Sequence, residues 1–147
     1  MKKENSASHP ISTTVAFAPE LTVRNGVMDI DFYKHAFGAV EAMRLNNDDG
    51  SLHVAELFIG EAMFHLHEET KYSKMFSPEK YGAGTVTLGL MTPDVHGVVA
   101  QAVAAGATIV SPVKDYEYGY RQGEIKDPFG HHWMIVCRIP PSPDWKG

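Results

Sequence analysis

The sequence is short of cysteine and of positive charge, and each shortage excludes a class of protein. A single cysteine, Cys137, in 147 residues excludes an internal disulfide and a zinc site built on clustered thiols. Thirteen Lys and Arg against 18 Asp and Glu give a net charge of -5, which argues against a surface built for nucleic acid. We therefore expect a cytoplasmic protein, in a reducing compartment, with no nucleic-acid partner.

Long apolar runs are also missing. The uncharged stretch 95–113 contains His96, Gly106 and Pro112, whereas a membrane helix needs about 20 predominantly apolar residues, so no membrane association is expected. The polar residues 4–10 stand where the apolar core of a signal peptide would lie, so no signal peptide is expected. A chain of 147 residues with 44% hydrophobic side chains is long enough for one packed core and too short for two independent ones. We therefore expect a single domain over residues 1–147.

The chain shows one order of elements twice. Residues 15–68 predict a strand, a helix with Asn25 as N-cap and Gly38 as its end, and three further strands. Residues 85–138 predict the same order, with a helix from Asp94 to Gly106 followed by a strand from Ala107 to Val110, and the matching signals recur after about 70 residues. We interpret the two halves as tandem βαβββ modules.

The connecting segment, residues 69–84, is long for a turn between modules. It carries Tyr72, Phe76 and Tyr81 among polar residues. Because connections of this length are often functional or mobile, we interpret it as a linker or a lid.

Several ordered motifs of the two halves resemble the vicinal oxygen chelate superfamily of glyoxalases, bleomycin-resistance proteins and dioxygenases, and within it the PhnB-like branch. The motifs are Leu21-Thr22-Val23-Arg24-Asn25, residues 30–39, Ala55 to Gly60, Ala102 to Ala107, Tyr118 to Arg121 and Asp127 to Trp133. The resemblance implies an α+β fold whose tandem modules form a U-shaped, eight-stranded mixed sheet around a cavity, commonly in a homodimer. It does not itself supply a reaction, because this fold serves many chemistries.

The metal enzymes of that superfamily place their ligands on the first and last strands of each module. The resemblance puts those positions at Ala18, His65, Thr87 and Met134, and among them only His65 is a good ligand for a divalent ion. A shift along the strands would bring Glu20 or His132 into consideration. We expect no cofactor, and a divalent metal at this site is disfavoured.

Two histidines alternate along the predicted fourth strand. His65 and His67 share one face, and the resemblance turns that face to the cavity. They are candidates for proton transfer or for ligand recognition. The alternative is structural, with His67 in solvent and His65 as a satisfied polar wall residue.

The last strand divides its side chains between two faces. Trp133, Ile135 and Cys137 are expected to pack on a helix, while His132 and Met134 point toward the cavity. His132 lies next to a turn, where histidines are more often solvated.

Arg121 lies among the tyrosines 116, 118 and 120. A guanidinium framed by aromatic rings can bind a carboxylate or phosphate through two hydrogen bonds, so Arg121 and Tyr118 are candidate ligand contacts. The alternative is a surface arginine paired with Asp127 or Glu124.

Two functions remain open at this point. The first is a small-molecule-binding protein in which His65, His67, Tyr118, Arg121, His132 and Met134 line the site without the usual metal. The second is a metal-dependent lyase, isomerase or dioxygenase. Both predict a small-molecule partner and a homodimer, and the sequence does not decide whether the protein is an enzyme.

Overall fold

The computed structural model describes residues 2–3, 11, 13–72 and 74–147. The polar residues 4–10, on which the expectation about a signal peptide rests, lie outside the described residues. The elements in chain order are β1 (Lys2–Lys3), β2 (Glu20–Val23), α1 (Phe32–Phe37), β3 (Val40–Asn46), β4 (Leu52–Ile59), β5 (Ala62–Glu68), a short 3-10 helix (Pro78–Lys80), β6 (Thr87–Met91), α2 (Val95–Ala105), β7 (Thr108–Tyr116), β8 (Tyr120–Lys126) and β9 (His132–Arg138).

The strands form two mixed sheets with matching topology. One sheet has the order β1-β3-β4-β5-β2 and the other β6-β9-β8-β7. In each module the first strand runs parallel to the last one, β2 beside β5 and β6 beside β9. The α+β fold of tandem modules is confirmed, and its eight module strands are divided between two hydrogen-bonded sheets.

The helices end as the sequence predicts, but the first one begins later. Gly38 ends α1 in a left-handed conformation (φ 68°), and the Asp94 carboxylate accepts a hydrogen bond from the Gly97 amide at the start of α2. The prediction that Asn25 caps α1 is wrong, because Asn25 donates to Glu68 instead and the helix starts at Phe32. Asn25 and Gly26 form a turn instead, and after it the Val27 carbonyl accepts from the Leu52 amide.

Both modules contribute to one hydrophobic core. The two helices pack against each other, and Gln101 on α2 donates to the His35 carbonyl on α1 at 2.7 Å. The ring of Phe64 on β5 contacts that of Trp133 on β9, with centroids 5.8 Å apart, and Tyr33 on α1 contacts both rings. Because both sheets turn one face to this core, each has an opposite face turned away from it, which we call its outer face.

Alternation assigns the side chains of each strand to these faces. On β5, Phe64 and Leu66 are buried in the core, so Met63, His65 and His67 lie on the outer face. On β9, Trp133 and Ile135 are in the core, so His132 and Met134 lie on the outer face, as their spacing predicted. The outer faces therefore carry the predicted histidines.

Candidate functional site

The outer face of the first module carries a histidine paired with a carboxylate. His65 Nε2 lies 3.3 Å from Glu56 Oε1, and the two residues are directly opposite across the β4–β5 ladder. Glu20 on β2 lies opposite His65 on its other side. Both members of the His65–Glu56 pair are partly exposed, which leaves the imidazole accessible to a ligand.

His67 is more constrained than His65. Its Nδ1 lies 2.6 Å from the Glu68 carbonyl oxygen, and its ring contacts that of His53 with centroids 5.0 Å apart. Because a carbonyl only accepts, Nδ1 carries the proton and donates. His67 shares its face with His65, but one of its ring nitrogens is already engaged.

The outer face of the second module carries a similar pair. His132 Nδ1 lies 2.8 Å from Glu124 Oε1. Met134 lies two residues further along β9, opposite Gly89 on β6. His132 is only partly exposed and has a fixed partner, so the expectation that a histidine beside this turn is simply solvated does not describe it.

Arg121 and Tyr118 are not brought together with these histidines. Arg121 lies on the same face of β8 as the buried Ile125. Its guanidinium donates to both oxygens of Asp115, at 2.7 and 3.0 Å. The predicted alternative partners, Asp127 and Glu124, are therefore wrong. Tyr118 lies in the β7–β8 turn, about 20 Å along the sheet from His132 at 3.3 Å per residue, and its ring contacts Trp145.

The pair between Arg121 and Asp115 changes the titration of both side chains. The hydrogen bonds from the guanidinium hold the pKa of Asp115 below its usual range, and the same contacts raise the pKa of Arg121. The pair depends on the length of β7, which extends to Tyr116 and places Asp115 directly opposite Arg121. The predicted strand from Ala107 to Val110 was too short to show it.

A groove of about 620 Å³ lies where the two modules and the connecting segment meet. We call it the inter-module groove. It brings Glu20 of the first module and His132 of the second to one space, and its walls include Phe17, Phe76 and Tyr81. The rings of Phe76 and Tyr81 pack edge to face, with centroids 6.1 Å apart. Two of the three aromatic side chains noted in the connecting segment, Phe76 and Tyr81, thus line a site that the sequence did not locate.

His131, the neighbour of His132 in the β8–β9 turn, forms a hydrogen bond between the two modules at this groove. His131 Nε2 donates to the Thr22 carbonyl at 2.8 Å. That carbonyl belongs to the free edge of β2, since the neighbouring Val23 carbonyl bonds instead to the amide of Glu69 beyond β5. His131 therefore caps the edge of β2 from the other module.

Comparisons with known proteins fit this architecture. The family model of the glyoxalase/bleomycin resistance protein/dioxygenase superfamily matches residues 17–135. The chain belongs to this superfamily. An uncharacterized protein of Mycobacterium bovis is 37% identical over 128 residues, which cover 85% of this chain and 84% of that protein.

Solved structures with the superfamily fold extend the comparison. A gene product of Arabidopsis thaliana has a TM-score of 0.66 and 29% identity, covering 85% of this chain and all of that one. The fosfomycin resistance protein FosX of Listeria monocytogenes, solved with Mn(II), has a TM-score of 0.56, 13% identity and coverage of 85% and 90%. The likeness to FosX shows the fold alone.

The residues of this chain do not fit the metal site of the superfamily. Of the four usual positions, Ala18 and Met134 offer no oxygen or nitrogen ligand, and Thr87 is a poor one. Across the described residues, no three His, Cys, Asp or Glu side chains are grouped closely enough to hold a metal ion. The shifted candidates Glu20 and His132 form no such group with His65.

No helix in the described part of the chain is long and apolar enough to cross a membrane.

Proposed function

We propose that this superfamily member binds a small aromatic molecule in the inter-module groove, without the usual metal. The observation that carries the proposal is the convergence of Glu20, His132 and three aromatic side chains on one space of about 620 Å³. That volume is in the range of small-molecule pockets, which are mostly apolar with a few fixed polar groups.

Two polar side chains of the groove, His132 and Glu20, would orient the ligand. Glu124 accepts the hydrogen bond of His132 Nδ1, so the Nε2 atom of a neutral His132 presents a lone pair. Glu20 is exposed, and its carboxylate accepts hydrogen bonds. The groove therefore suits an aromatic ring system carrying at least one hydrogen-bond donor.

The proposal includes binding without a metal at the usual positions. Its support is that those positions hold Ala18, His65, Thr87 and Met134, of which only His65 is a good ligand for a divalent ion. The alternative is a metal-dependent lyase, isomerase or dioxygenase. Metal analysis of protein purified without a chelator separates the two, because stoichiometric Ni, Zn, Fe or Mn held through His65 would favour the enzyme.

Assembly, family branch and location complete the proposal. We expect a homodimer, because the two outer faces carry half-exposed side chains that a second copy would cover and because β6 is an edge strand among the described strands. Sedimentation of a monomer alone at micromolar concentration would contradict it. We place the protein in the PhnB-like branch and in the cytoplasm, on the motifs and the single cysteine described above.

The chain offers a matched pair of aromatic side chains to test the groove. Phe76 and Tyr118 are 42% and 41% exposed, but only Phe76 lines the groove. A hit from a thermal-shift screen of bicyclic aromatic compounds, measured by calorimetry, is expected to lose about tenfold in affinity with Phe76→Ala, since ring contacts contribute about 0.5–1.5 kcal/mol beyond buried area. Tyr118→Ala is expected to bind like the parent protein. Weaker binding with Tyr118→Ala and unchanged binding with Phe76→Ala would contradict the groove and place the site at the β7–β8 turn, near the candidate contact Tyr118.

A further inference from the structure

His53 and His67 lie side by side near the start of β4 and the end of β5. Their ring centres are 5.0 Å apart, and both side chains are partly exposed. We call them the histidine pair. Neither residue lines the inter-module groove, and neither stands at one of the four usual metal positions of the superfamily. The proposed function therefore leaves the pair unexplained.

An irregularity in β4 brings His53 to this place. Two consecutive residues of β3 are opposite Leu52 and Val54, so His53 between them is the extra residue of a β-bulge. Regular alternation would place His53 on the face opposite that of His67, because Val54 is the direct partner of His67. Bulges redirect side chains and are frequent beside functional sites. The bulge thus accounts for the contact between two rings that a regular strand would separate.

Glu68 orients both rings of the histidine pair. His53 Nδ1 lies 2.9 Å from the Glu68 carboxylate, and His67 Nδ1 lies 2.6 Å from the Glu68 carbonyl oxygen. Because an ionised carboxylate and a carbonyl only accept, Nδ1 is the donor in each ring, and Nε2 of each neutral imidazole presents a lone pair. Within residues 13–72 and 74–147, neither ring has a further hydrogen-bond partner. The pair therefore offers two nitrogen ligands.

Glu68 is itself held in place. The Asn47 side-chain amide donates to both of its carboxylate oxygens, at 3.1 and 3.2 Å, and the Asn25 amide donates to one of them at 3.1 Å. Histidine ligands of metal ions usually donate their other ring N–H to a carboxylate or a backbone carbonyl, which fixes the tautomer and the ring. The histidine pair has both kinds of partner, one for each ring.

The separation of the two rings suits ligands of one ion. With metal–nitrogen bonds of about 2.0–2.1 Å and an angle of about 90–110° at the metal, two imidazole centres lie about 4.5–5.2 Å apart. The 5.0 Å of the histidine pair falls in this range. Nitrogen and oxygen donors in a tetragonal site suit Cu²⁺, which also binds most tightly in the divalent first-row series. Zn²⁺ sites use three or four protein ligands, and Mg²⁺ and Ca²⁺ prefer oxygen.

We propose that His53 and His67 form a two-histidine site for a divalent transition-metal ion, with Cu²⁺ bound most tightly and Glu68 as the positioning residue. The ion binds through the two Nε2 atoms, and water completes its coordination. Since no third metal-ligating side chain is grouped with this pair in the described part of the chain, positions at the ion stay open to solvent. This site goes beyond the proposed function, which concerns an organic ligand in the inter-module groove.

The test titrates untagged protein with Cu²⁺ alone and follows binding by calorimetry. We expect one ion per chain and weaker binding of Zn²⁺. His53→Gln and His67→Gln each remove one ligand and should lower Cu²⁺ affinity at least tenfold, because loss of even an outer partner costs about that much. His65→Gln is the matched control and should bind normally, since His65 shares the strand and face of His67 and also has a glutamate partner.

Electron paramagnetic resonance of the parent Cu²⁺ complex needs no substitution. We expect nitrogen couplings from two imidazoles, and couplings from a single nitrogen would overturn the proposal. Glu68→Gln should lower affinity about tenfold while both nitrogen couplings remain, as a positioning role requires. Unchanged Cu²⁺ affinity in His53→Gln would overturn the site, and so would an equal loss in His65→Gln, which would assign the ion to the usual position of the superfamily.

Discussion

The two modules share a topology but close their last hairpins differently. The first module uses a tight turn at Gly60 and Glu61, both exposed. The second uses Asp127 to Gly130, in which the Gly130 amide donates to the Asp127 carbonyl and the Asp127 side chain is buried. The turn of the second module therefore supplies a buried polar group, the Asp127 carboxylate, which bonds to Tyr33 of the first module and holds the two modules together.

The buried carboxylate of Asp127 accepts four hydrogen bonds. One oxygen accepts from the amides of Phe129 and His131, at 2.9 and 3.0 Å. The other accepts from the Tyr33 hydroxyl of the first module at 2.6 Å and from Trp133 Nε1 at 3.0 Å. Since a buried charge is costly unless it is fully bonded, this set of donors makes the contact between the modules specific.

Removing this carboxylate should have the largest effect on stability. Asp127→Ala leaves two backbone amides, the Trp133 indole N–H and the Tyr33 hydroxyl without their acceptor, so we expect a loss of about 3–5 kcal/mol in the free energy of unfolding. Urea denaturation measures it. Asp115→Asn, which alters an exposed carboxylate, is the control, and an equal loss in the two variants would show that burial does not decide the effect.

An intermediate effect is expected at high pH. Burial, followed by the charge and hydrogen bond of Asp127, raises the pKa of Tyr33 well above its usual value. Above about pH 10 the unfolded chain loses this proton and the folded one keeps it, so stability should fall by about 1.4 kcal/mol per pH unit until the folded pKa is reached. Unfolding measured between pH 9 and 11 should show this slope, and Tyr33→Phe should remove it. A slope that persists in Tyr33→Phe would assign the proton to another group.

The smallest effect is expected at Arg121, in a pair that lies within the second module. Arg121→Ala should change the unfolding free energy little at neutral pH, because partly exposed ion pairs are screened by solvent. Without the guanidinium, the pKa of Asp115 should return to its usual range. In the parent protein the pair adds stability while Asp115 is ionised and loses it on acidification, and Arg121→Ala should abolish this pH dependence. Affinity for the groove ligand should be unchanged, and a tenfold loss would restore Arg121 as a ligand contact.

The sequence predicted what depends on local signals. The repeat, the Asp94 cap and the glycine helix ends follow from residues close together in the chain, and the alternation on β5 and β9 assigned each face correctly. It failed where the partner was distant. Asn25 donates to Glu68 rather than capping a helix. Asp127 was considered as a surface partner of Arg121, since its role as a buried acceptor requires Tyr33, 94 residues away.

The candidate site was less predictable than the fold for the same reason. His65 and His132 were identified from their strands, but their carboxylate partners depend on strand register. The inter-module groove requires the docking of three segments that are separate in sequence, and no local pattern encodes that arrangement. The partner of Arg121 was predicted wrongly because the length of β7 was underestimated.

The hydrogen bond between Tyr33 and Asp127 also has a consequence for how the chain folds. It joins residues 94 positions apart, and closing a flexible loop of that length costs on the order of 4 kcal/mol in chain entropy. Each hairpin closes a far shorter loop, so the hairpins should form first and the seam between the modules last. The seam would then also be the first part to open in the native protein, and the amide protons of Phe129 and His131 would report that opening in hydrogen exchange.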